Sequence, residues 1–208
     1  MTFQLPKIYP ITDRKLSGLS HAEQVARLID GGATLIQLRD KEASAKAFLK
    51  EAEAALETAR RHNVKILIND RVDIAMALDA DGVHLGQTDM PVDAARKLLK
   101  QDAIIGLSTH NLSQVRVAPT LAVDYIAFGP IFETPSKIDH EPVIGLGQLA
   151  QARRILGEFP LVAIGGINAD KVHEVLMAGA DSIALISALL SQPPKIAQNM
   201  CKLLEREA

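Results

Sequence analysis

Two carboxylates follow apolar runs that have the composition of buried strands. Asp70 follows the run Ile66-Leu67-Ile68-Asn69, and Asp89 follows the next such run along the chain. If the two runs are neighbouring parallel strands, their carboxyl ends meet and the two carboxylates lie close together. Mg²⁺ is bound through one or two carboxylates and takes its other oxygens from water and substrate phosphates. The pair therefore predicts a Mg²⁺ site, the alternative being that each aspartate caps the helix after it.

Cations and an amide close an earlier strand-like run, which ends Gln37-Leu38-Arg39-Asp40-Lys41. Strand alternation places Gln37 and Arg39 on one face, and Lys41 lies just beyond, where it can turn toward the same place. These side chains favour a phosphate group as ligand. The alternative is that Arg39 and Lys41 form a solvated pair in a surface loop.

Hydroxyl groups follow two later strand-like runs. Ser108-Thr109-His110 closes the fifth run, and Thr134-Pro135-Ser136-Lys137 lies in the long connection 133–145 after the sixth. A hydroxyl can donate to a phosphate or a heterocycle, and Lys137 adds a cation. Two alternatives stay open: the second segment could be a mobile surface loop, and His110 could be an acid, a base or only the residue that leads a helix.

Glycine and serine follow the last two runs, in Ile164-Gly165-Gly166 and Ile186-Ser187. Glycines at these positions of a barrel let backbone N–H groups approach an anion. We therefore expect a second phosphate pocket, distinct from the Mg²⁺ site.

A protein nucleophile is not expected. Cys201 is the one cysteine and lies in a C-terminal pattern that predicts a residue packed in a helix, so no internal disulfide forms. His84 lies inside a strand-like run. The sequence therefore offers no Ser-His-Asp or Cys-His arrangement.

The candidate metal and phosphate ligands all follow the ends of strand-like runs. These runs alternate with helical patterns along the whole chain. The predicted strands cover residues 7–12, 34–39, 65–69, 82–85, 104–108, 125–128, 161–164 and 182–186. The predicted helices cover residues 20–30, 44–62, 72–78, 91–99, 111–117, 146–156, 169–178 and 193–206. This order predicts an α/β protein, a single parallel (β/α)₈ TIM barrel over residues 1–208, with an open doubly wound sheet as the alternative.

Composition narrows the choice of partners. The formal net charge is −2, with 23 basic and 25 acidic side chains spread along the chain, so we expect no nucleic-acid partner. No stretch approaches the roughly 20 apolar residues of a membrane span, and no signal peptide is evident. The sequence thus predicts a cytoplasmic protein with small-molecule substrates and leaves its oligomeric state, a homo-oligomer included, open.

Six blocks of sequence, in order along nearly the whole chain, carry a resemblance to a known family. The blocks are Tyr9-Pro10-Ile11-Thr12-Asp13, Ile36-Gln37-Leu38-Arg39-Asp40-Lys41, Asn69-Asp70-Arg71-Val72-Asp73, Gly82-Val83-His84-Leu85-Gly86-Gln87-Thr88-Asp89, Gly129-Pro130-Ile131-Phe132 and Ala163-Ile164-Gly165-Gly166-Ile167. Together they resemble the thiamine-phosphate synthase family, also called thiamine-phosphate pyrophosphorylase.

The resemblance implies a barrel enzyme with Mg²⁺ as cofactor. It would join 4-amino-2-methyl-5-hydroxymethylpyrimidine diphosphate to 4-methyl-5-(2-phosphoethyl)thiazole, or its carboxylate form, giving thiamine phosphate and diphosphate. It also implies a dissociative reaction, in which diphosphate leaves first and the thiazole nitrogen traps the pyrimidine methylene cation.

Carried over by position, the resemblance implies a role for each matching residue. Contacts to the pyrimidine diphosphate would come from Gln37, Arg39, Lys41, Asn69, Ser108 and Lys137, with Leu38 and Asp40 as further substrate contacts. Among these, the catalytic residues would be Arg39, Lys41, Ser108 and Lys137. The Mg²⁺ ligands would be Asp70 and Asp89. The thiazole phosphate would be held by Thr134, Pro135, Ser136, Gly166, Ile186 and Ser187.

The chain departs from the family's pattern in one loop. The family usually writes Pro-Thr-x-Thr-Lys there, whereas this chain has Glu133 and Ser136 in place of the Pro and the second Thr. The Glu suggests the related thiazole tautomerases as an alternative, and a non-catalytic phosphate-binding regulatory barrel is another. The synthase is favoured over the tautomerases by the presence of Gln37, Arg39, Lys41, Asp70 and Asp89. It is favoured over the regulatory barrel by the two carboxylates together with Lys137.

Overall fold

The computed structural model describes residues 4–134 and 142–206. Its strands are β1 (Ile8–Pro10), β2 (Leu35–Leu38), β3 (Lys65–Asn69), β4 (Gly82–Leu85), β5 (Ile104–Thr109), β6 (Tyr125–Phe128), β7 (Leu161–Ile164) and β8 (Ser182–Leu185). Its α-helices are α1 (Arg14–Ser17), α2 (His21–Asp30), α3 (Ala45–Arg60), α4 (Val72–Ala77), α5 (Val92–Leu98), α6 (Leu112–Val117), α7 (Gly145–Leu156), α8 (Val172–Met177), α9 (Ser187–Leu190) and α10 (Ile196–Arg206).

The strands form one parallel sheet in the order β1-β8-β7-β6-β5-β4-β3-β2. The sheet closes where Ile11, just after β1, forms a parallel bridge with Gln37 of β2. The backbone N–H of Thr12 also donates to the carbonyl of Gln37 at 2.9 Å. The predicted (β/α)₈ barrel is therefore confirmed, and the open doubly wound sheet is excluded.

Local sequence signals account for the first long helices. Ser20 begins α2 with a capping box, in which its side chain and that of Glu23 each bind the other's backbone N–H. Ser44 caps α3 by accepting from the N–H of Ala47. The apolar face of α3, which starts at Phe48, is buried against the barrel.

The C-terminal prediction is only partly right. The helix predicted over 193–206 begins as a 3₁₀ turn at Pro193–Lys195 and becomes α-helical at Ile196. Cys201 is exposed and donates to Glu205, so the prediction that it packs in the helix interface is wrong. The short helices α1 and α9 were not predicted. Four-residue helices such as these leave too short a pattern to detect.

Alternation along the strands separates two apolar layers. Residues that point outward, such as Leu38, pack against the helices. Residues that point inward fill the barrel, and their largest members are Tyr9 and Tyr125. No helix among the described residues is long and apolar enough to cross a membrane.

Three aspartates fasten the amino-terminal end of the barrel. Each precedes an even-numbered strand and accepts a hydrogen bond from a backbone N–H of the odd-numbered strand before it. The pairs are Asp81 with Ile66 at 2.8 Å, Asp124 with Ile105 at 2.7 Å and Asp181 with Leu161 at 2.8 Å. Arg96 and Arg153 add ion pairs to the second and third aspartates. These aspartate clamps lie at the opposite end of the strands from the candidate residues.

Candidate active site

The carboxyl ends of the strands surround an open cleft of about 340 Å³. Most of the residues predicted to act together meet there. The predicted residues that line the cleft are Gln37, Arg39, Lys41, Asn69, Asp70, Asp89, Ser108, Thr134, Gly166, Ile186 and Ser187. The barrel therefore brings together side chains that are up to 150 positions apart in sequence, from Gln37 to Ser187.

The structure does not bring two of the predicted substrate contacts to the cleft. Leu38 is fully buried in the outer apolar layer, because alternation turns it away from the face of Gln37. Asp40 accepts from the backbone N–H groups of Glu42 and Ala43 and lies 3.4 Å from Arg14. Both residues support the strand and loop that carry their neighbours. Pro135, Ser136 and Lys137 lie outside the described residues.

Asp70 and Asp89 stand together on one side of the cleft. The Asp89 carboxylate accepts from the N–H of Gly86 at 2.6 Å, and Lys41 Nζ lies 3.0 Å from Asp70 Oδ2. Burial raises the pKa of Asp89, and the hydrogen bond and negative charge of Asp70 raise it further. The two carboxylates therefore repel each other, and the positive charge of Lys41, which lowers the pKa of Asp89, offsets this repulsion only in part.

The alternative role for these aspartates, as helix caps, does not hold. Neither α4 nor α5 has a side-chain cap. In the described part of the chain, no cluster of three or more His, Cys, Asp and Glu side chains could hold a metal. Two carboxylates alone fit Mg²⁺, which keeps several waters and completes its shell with phosphate oxygens. They do not fit a metal that needs an all-protein cage.

The cations beside this pair are held by counter-charges. The guanidinium of Arg39 lies 3.4 Å from the carboxylate of Asp13, and its backbone N–H donates to Thr12 Oγ1 at 3.3 Å. Asp13 also caps α1, so this short helix fixes the place of Arg39. Arg39 is thus paired with Asp13 and Lys41 with Asp70, so a neighbouring carboxylate orients each cation.

Gly165 and Gly166 form the opposite side of the cleft with positive φ angles of 100° and 66°. The carbonyl of Gly165 accepts from the N–H of Phe132 at 3.0 Å, so the two loops pack backbone to backbone. A Cβ at Gly166 would lie 2.7 Å from the carbonyl oxygen of Phe132 and closer still to that of Glu133. Only glycine fits this close approach.

The structure brings together a serine and a histidine that the sequence analysis did not connect. Ser108 Oγ lies 2.9 Å from His84 Nε2. The other ring nitrogen of His84, Nδ1, lies 2.9 Å from the hydroxyl of Tyr125 rather than from a carboxylate. A serine and a histidine thus meet across β4 and β5, but without the Asp of a catalytic triad.

Sequence reasoning missed Gln87 as a lining residue and left the role of His110 open. Gln87 lines the cleft and donates to the carbonyl of Ser108 at 2.6 Å. His110 lines it too, and its Nδ1 lies 2.8 Å from the carbonyl oxygen of Gly129. A carbonyl only accepts, so His110 Nδ1 carries a proton. The block Gly82–Asp89 contained Gln87, but without the register of β4 nothing indicated its direction.

A parallel barrel with this cleft defines an enzyme that binds phosphate-bearing small molecules at the carboxyl ends of its strands. Cations and a carboxylate pair form one side, and glycine backbone forms the other.

Comparisons with known proteins narrow this class. Residues 8–189 match the family model of thiamine monophosphate synthase, TMP-TENI. The thiamine-phosphate synthase of Clostridium novyi (strain NT) is 46% identical over 185 residues, which cover 88% of this chain and 90% of that protein. The chain therefore belongs to the thiamine monophosphate synthase family and is a transferase.

Solved structures agree with this assignment. The thiamine phosphate pyrophosphorylase from Pyrococcus furiosus matches with a TM-score of 0.85 and 37% identity, over 96% of both chains. A 3-hexulose-6-phosphate synthase shares only the fold, with a TM-score of 0.65 at 15% identity over 95% of this chain and 99% of that one. The resemblance found in the sequence is confirmed.

Proposed function

We propose that the chain joins 4-amino-2-methyl-5-hydroxymethylpyrimidine diphosphate to 4-methyl-5-(2-phosphoethyl)thiazole, or its carboxylate form, to give thiamine phosphate and diphosphate. The observation that carries this proposal is the two-sided cleft. One side offers charged groups to a leaving diphosphate, and the other offers backbone and hydroxyl donors to a second phosphate. Both substrates carry a phosphate group, so each has a matching side.

Enzymes of this family need a metal ion, and we propose that it is Mg²⁺ held by Asp70 and Asp89. When bound, Mg²⁺ supplies positive charge that stabilises the departing diphosphate. The raised pKa of Asp89 supports this role, because two close carboxylates gain most from a shared cation. Lys41 lies beside Asp70 and would contact the diphosphate next to the metal ion.

The chain's own residues bind and orient the substrates. Arg39 and Lys41 hold the diphosphate, where their charge matters most as the bond to carbon breaks. Asn69 and Gln37 line the floor of the same side. Lys137 is proposed from the resemblance alone as a further cation for the leaving group. A dissociative reaction needs no protein nucleophile.

The thiazole phosphate is proposed to lie against Gly166, Ile186 and Ser187. The glycine brings backbone donors close to the cleft without a side chain in the way, and Ser187 adds a hydroxyl. Thr134 also lines this side. Pro135 and Ser136 join the group through the resemblance only.

The deciding experiment incubates the purified protein with the pyrimidine diphosphate, the thiazole phosphate and Mg²⁺, and follows thiamine phosphate and diphosphate. We expect both products in equal amounts and neither when the thiazole is omitted. Turnover of a thiazole carboxylate phosphate by tautomerisation, with no thiamine phosphate formed, would identify a tautomerase instead. Binding of the phosphates without any product would favour the regulatory barrel.

We further propose that residues 1–208 form one domain and that the enzyme acts in the cytoplasm on small molecules. Support for one domain comes from β1 and β8, the first and last strands, which pair directly. A net charge near zero supports substrates other than nucleic acid.

A further inference from the structure

A chain of hydrogen bonds crosses the barrel beneath the cleft. It joins the side chains of Gln37, Tyr9, Tyr125, His84 and Ser108, and we refer to it as the hydroxyl chain. The successive distances are 2.9 Å from Gln37 Nε2 to Tyr9 OH, 3.0 Å from Tyr9 OH to Tyr125 OH, 2.9 Å from Tyr125 OH to His84 Nδ1 and 2.9 Å from His84 Nε2 to Ser108 Oγ. Its two end residues line the cleft, whereas both tyrosines are buried below it.

The strands are shaped to admit this chain. Gly106 of β5 pairs in register with His84 on one side and with Tyr125 on the other. A Cβ at Gly106 would lie 2.5 Å from Tyr125 Cε1 and closer still to its Cζ and hydroxyl. The glycine therefore leaves the space that lets the Tyr125 hydroxyl reach His84. The rings of His84 and Tyr125 also stack, with centroids 5.5 Å apart.

Proton counting gives the hydroxyl chain a direction. Burial raises the pKa of both Tyr9 and Tyr125 far above neutrality, so each keeps its one hydroxyl proton. The Gln37 amide nitrogen can only donate, so Tyr9 accepts from it and turns its own proton to Tyr125. In the same direction, Tyr125 donates to Nδ1 of His84, so Nδ1 carries no proton and the ring proton lies on Nε2.

We propose that the hydroxyl chain fixes the polarity of Ser108, so that its oxygen accepts from His84 Nε2–H and its proton is presented to the cleft. Ser108 is then a hydrogen-bond donor to an acceptor atom of the pyrimidine diphosphate. This donor role toward the substrate rests on the proposed function. His84, Tyr125 and Tyr9 are positioning residues, since they act through Ser108.

The opposite polarity would give the serine a different chemistry. With the proton on Nδ1, His84 Nε2 would accept from Ser108 and activate it as a nucleophile. The two polarities therefore separate a donor serine from a nucleophilic one, and the position of one proton decides between them.

The direct test is ¹⁵N NMR of the imidazole nitrogens in the substrate-free protein. The His84 signals are assigned as those missing from the spectrum of His84→Asn. We expect a protonated Nε2 and an unprotonated Nδ1, with the tautomer preference weakened in Tyr125→Phe. A protonated Nδ1 in the wild-type protein, with or without a proton on Nε2, would overturn the proposal.

A kinetic cycle tests whether Tyr125 acts through Ser108. Tyr125→Phe should lower kcat/KM by about five- to tenfold in the wild-type background and hardly at all in Ser108→Ala. Equal losses in both backgrounds would mean that Tyr125 is merely structural and would contradict its positioning role. Tyr9→Phe serves as the matched control, with a smaller loss expected because Tyr125 can still donate to His84.

The NMR measurement distinguishes a failure of the proposed function from a failure of the proposed polarity. A protein that makes no thiamine phosphate but shows the Nε2–H tautomer would overturn the proposed function and support the polarity of the chain. An active synthase with the Nδ1–H tautomer would do the reverse. Because the tautomer is measured in the wild-type protein, this arm holds even if Tyr125→Phe fails to fold.

Discussion

The two sides of the cleft solve the same task, binding a phosphate, by different means. The charged side, made by Arg39, Lys41, Asp70 and Asp89, uses side chains that are held by counter-charges such as Asp13. The glycine side, made by Gly165, Gly166, Ile186 and Ser187, uses backbone whose conformation and packing leave no room for a Cβ at Gly166. We therefore expect substitutions on the charged side to lower activity without lowering stability. Substitutions on the glycine side should lower both.

The largest effect is expected from Asp70→Asn on the charged side. It should lower turnover by roughly 100- to 1000-fold, the range for losing one preorganised electrostatic group, and leave the melting temperature nearly unchanged. Asp70 has a φ of 61°, and Asn tolerates this left-handed conformation as Asp does, so the backbone is not strained. Turnover is measured at limiting Mg²⁺.

Asp79→Asn is the matched control for this variant. Asp79 also has a positive φ, 54°, and its carboxylate pairs with Lys100 at 2.5 Å, far from the cleft. It should keep full activity. Equal turnover for Asp70→Asn and the wild-type protein at limiting Mg²⁺ would remove Asp70 from the metal site.

Gly166→Ala should show the opposite signature on the glycine side. A left-handed φ of 66° and the clash with the loop after β6 should together lower the free energy of unfolding by about 2 to 3 kcal/mol. Gly18→Ala is the control, because Gly18 has a φ of 69° but nothing within 4 Å of its added Cβ. The free energy of unfolding of Gly18→Ala should fall by only about 1 kcal/mol, because this variant suffers the backbone strain without the clash. Chemical denaturation measures both, and equal losses would show that the close approach is unimportant.

The smallest effect is expected from Ser187→Ala. Loss of one hydroxyl donor should raise the KM for the thiazole phosphate about fivefold and leave the KM for the pyrimidine diphosphate unchanged. Ser191→Ala tests whether the helix itself matters, since Ser191 Oγ donates to the carbonyl of Ser187 and is exposed. Steady-state kinetics with each substrate varied in turn measure the two values. Equal rises in both would contradict two separate phosphate sites.

The fold was predictable because its signals are local and repeated. Each observed strand ends within two residues of its predicted bound, the largest difference being at β1, which ends at Pro10 rather than residue 12. An apolar run between two helical patterns defines a buried parallel strand without any knowledge of its neighbours. The bounds of α8 and α10 were less accurate, since helix ends depend on caps and turns.

The site was predictable only where a residue's direction followed from its position after a strand. Asp70 and Ser108 met this condition and reach the cleft, whereas Leu38 lies between two inward-facing neighbours and points away. The hydroxyl chain gave no such signal, because a tyrosine inside a strand resembles any core residue. Gly106 was the available hint, since a glycine within a strand often marks a close approach.

The aspartate clamps at the amino-terminal end have a consequence for how such a protein can change. Because Asp81, Asp124 and Asp181 fasten strand pairs β3–β4, β5–β6 and β7–β8 at that end, the frame is held together away from the loops that meet substrate. We expect each of these three strand pairs to keep its base when the loops at the other end are exchanged. A designer of new transferases could graft loops between such strand pairs and judge each chimaera by its clamps before any assay.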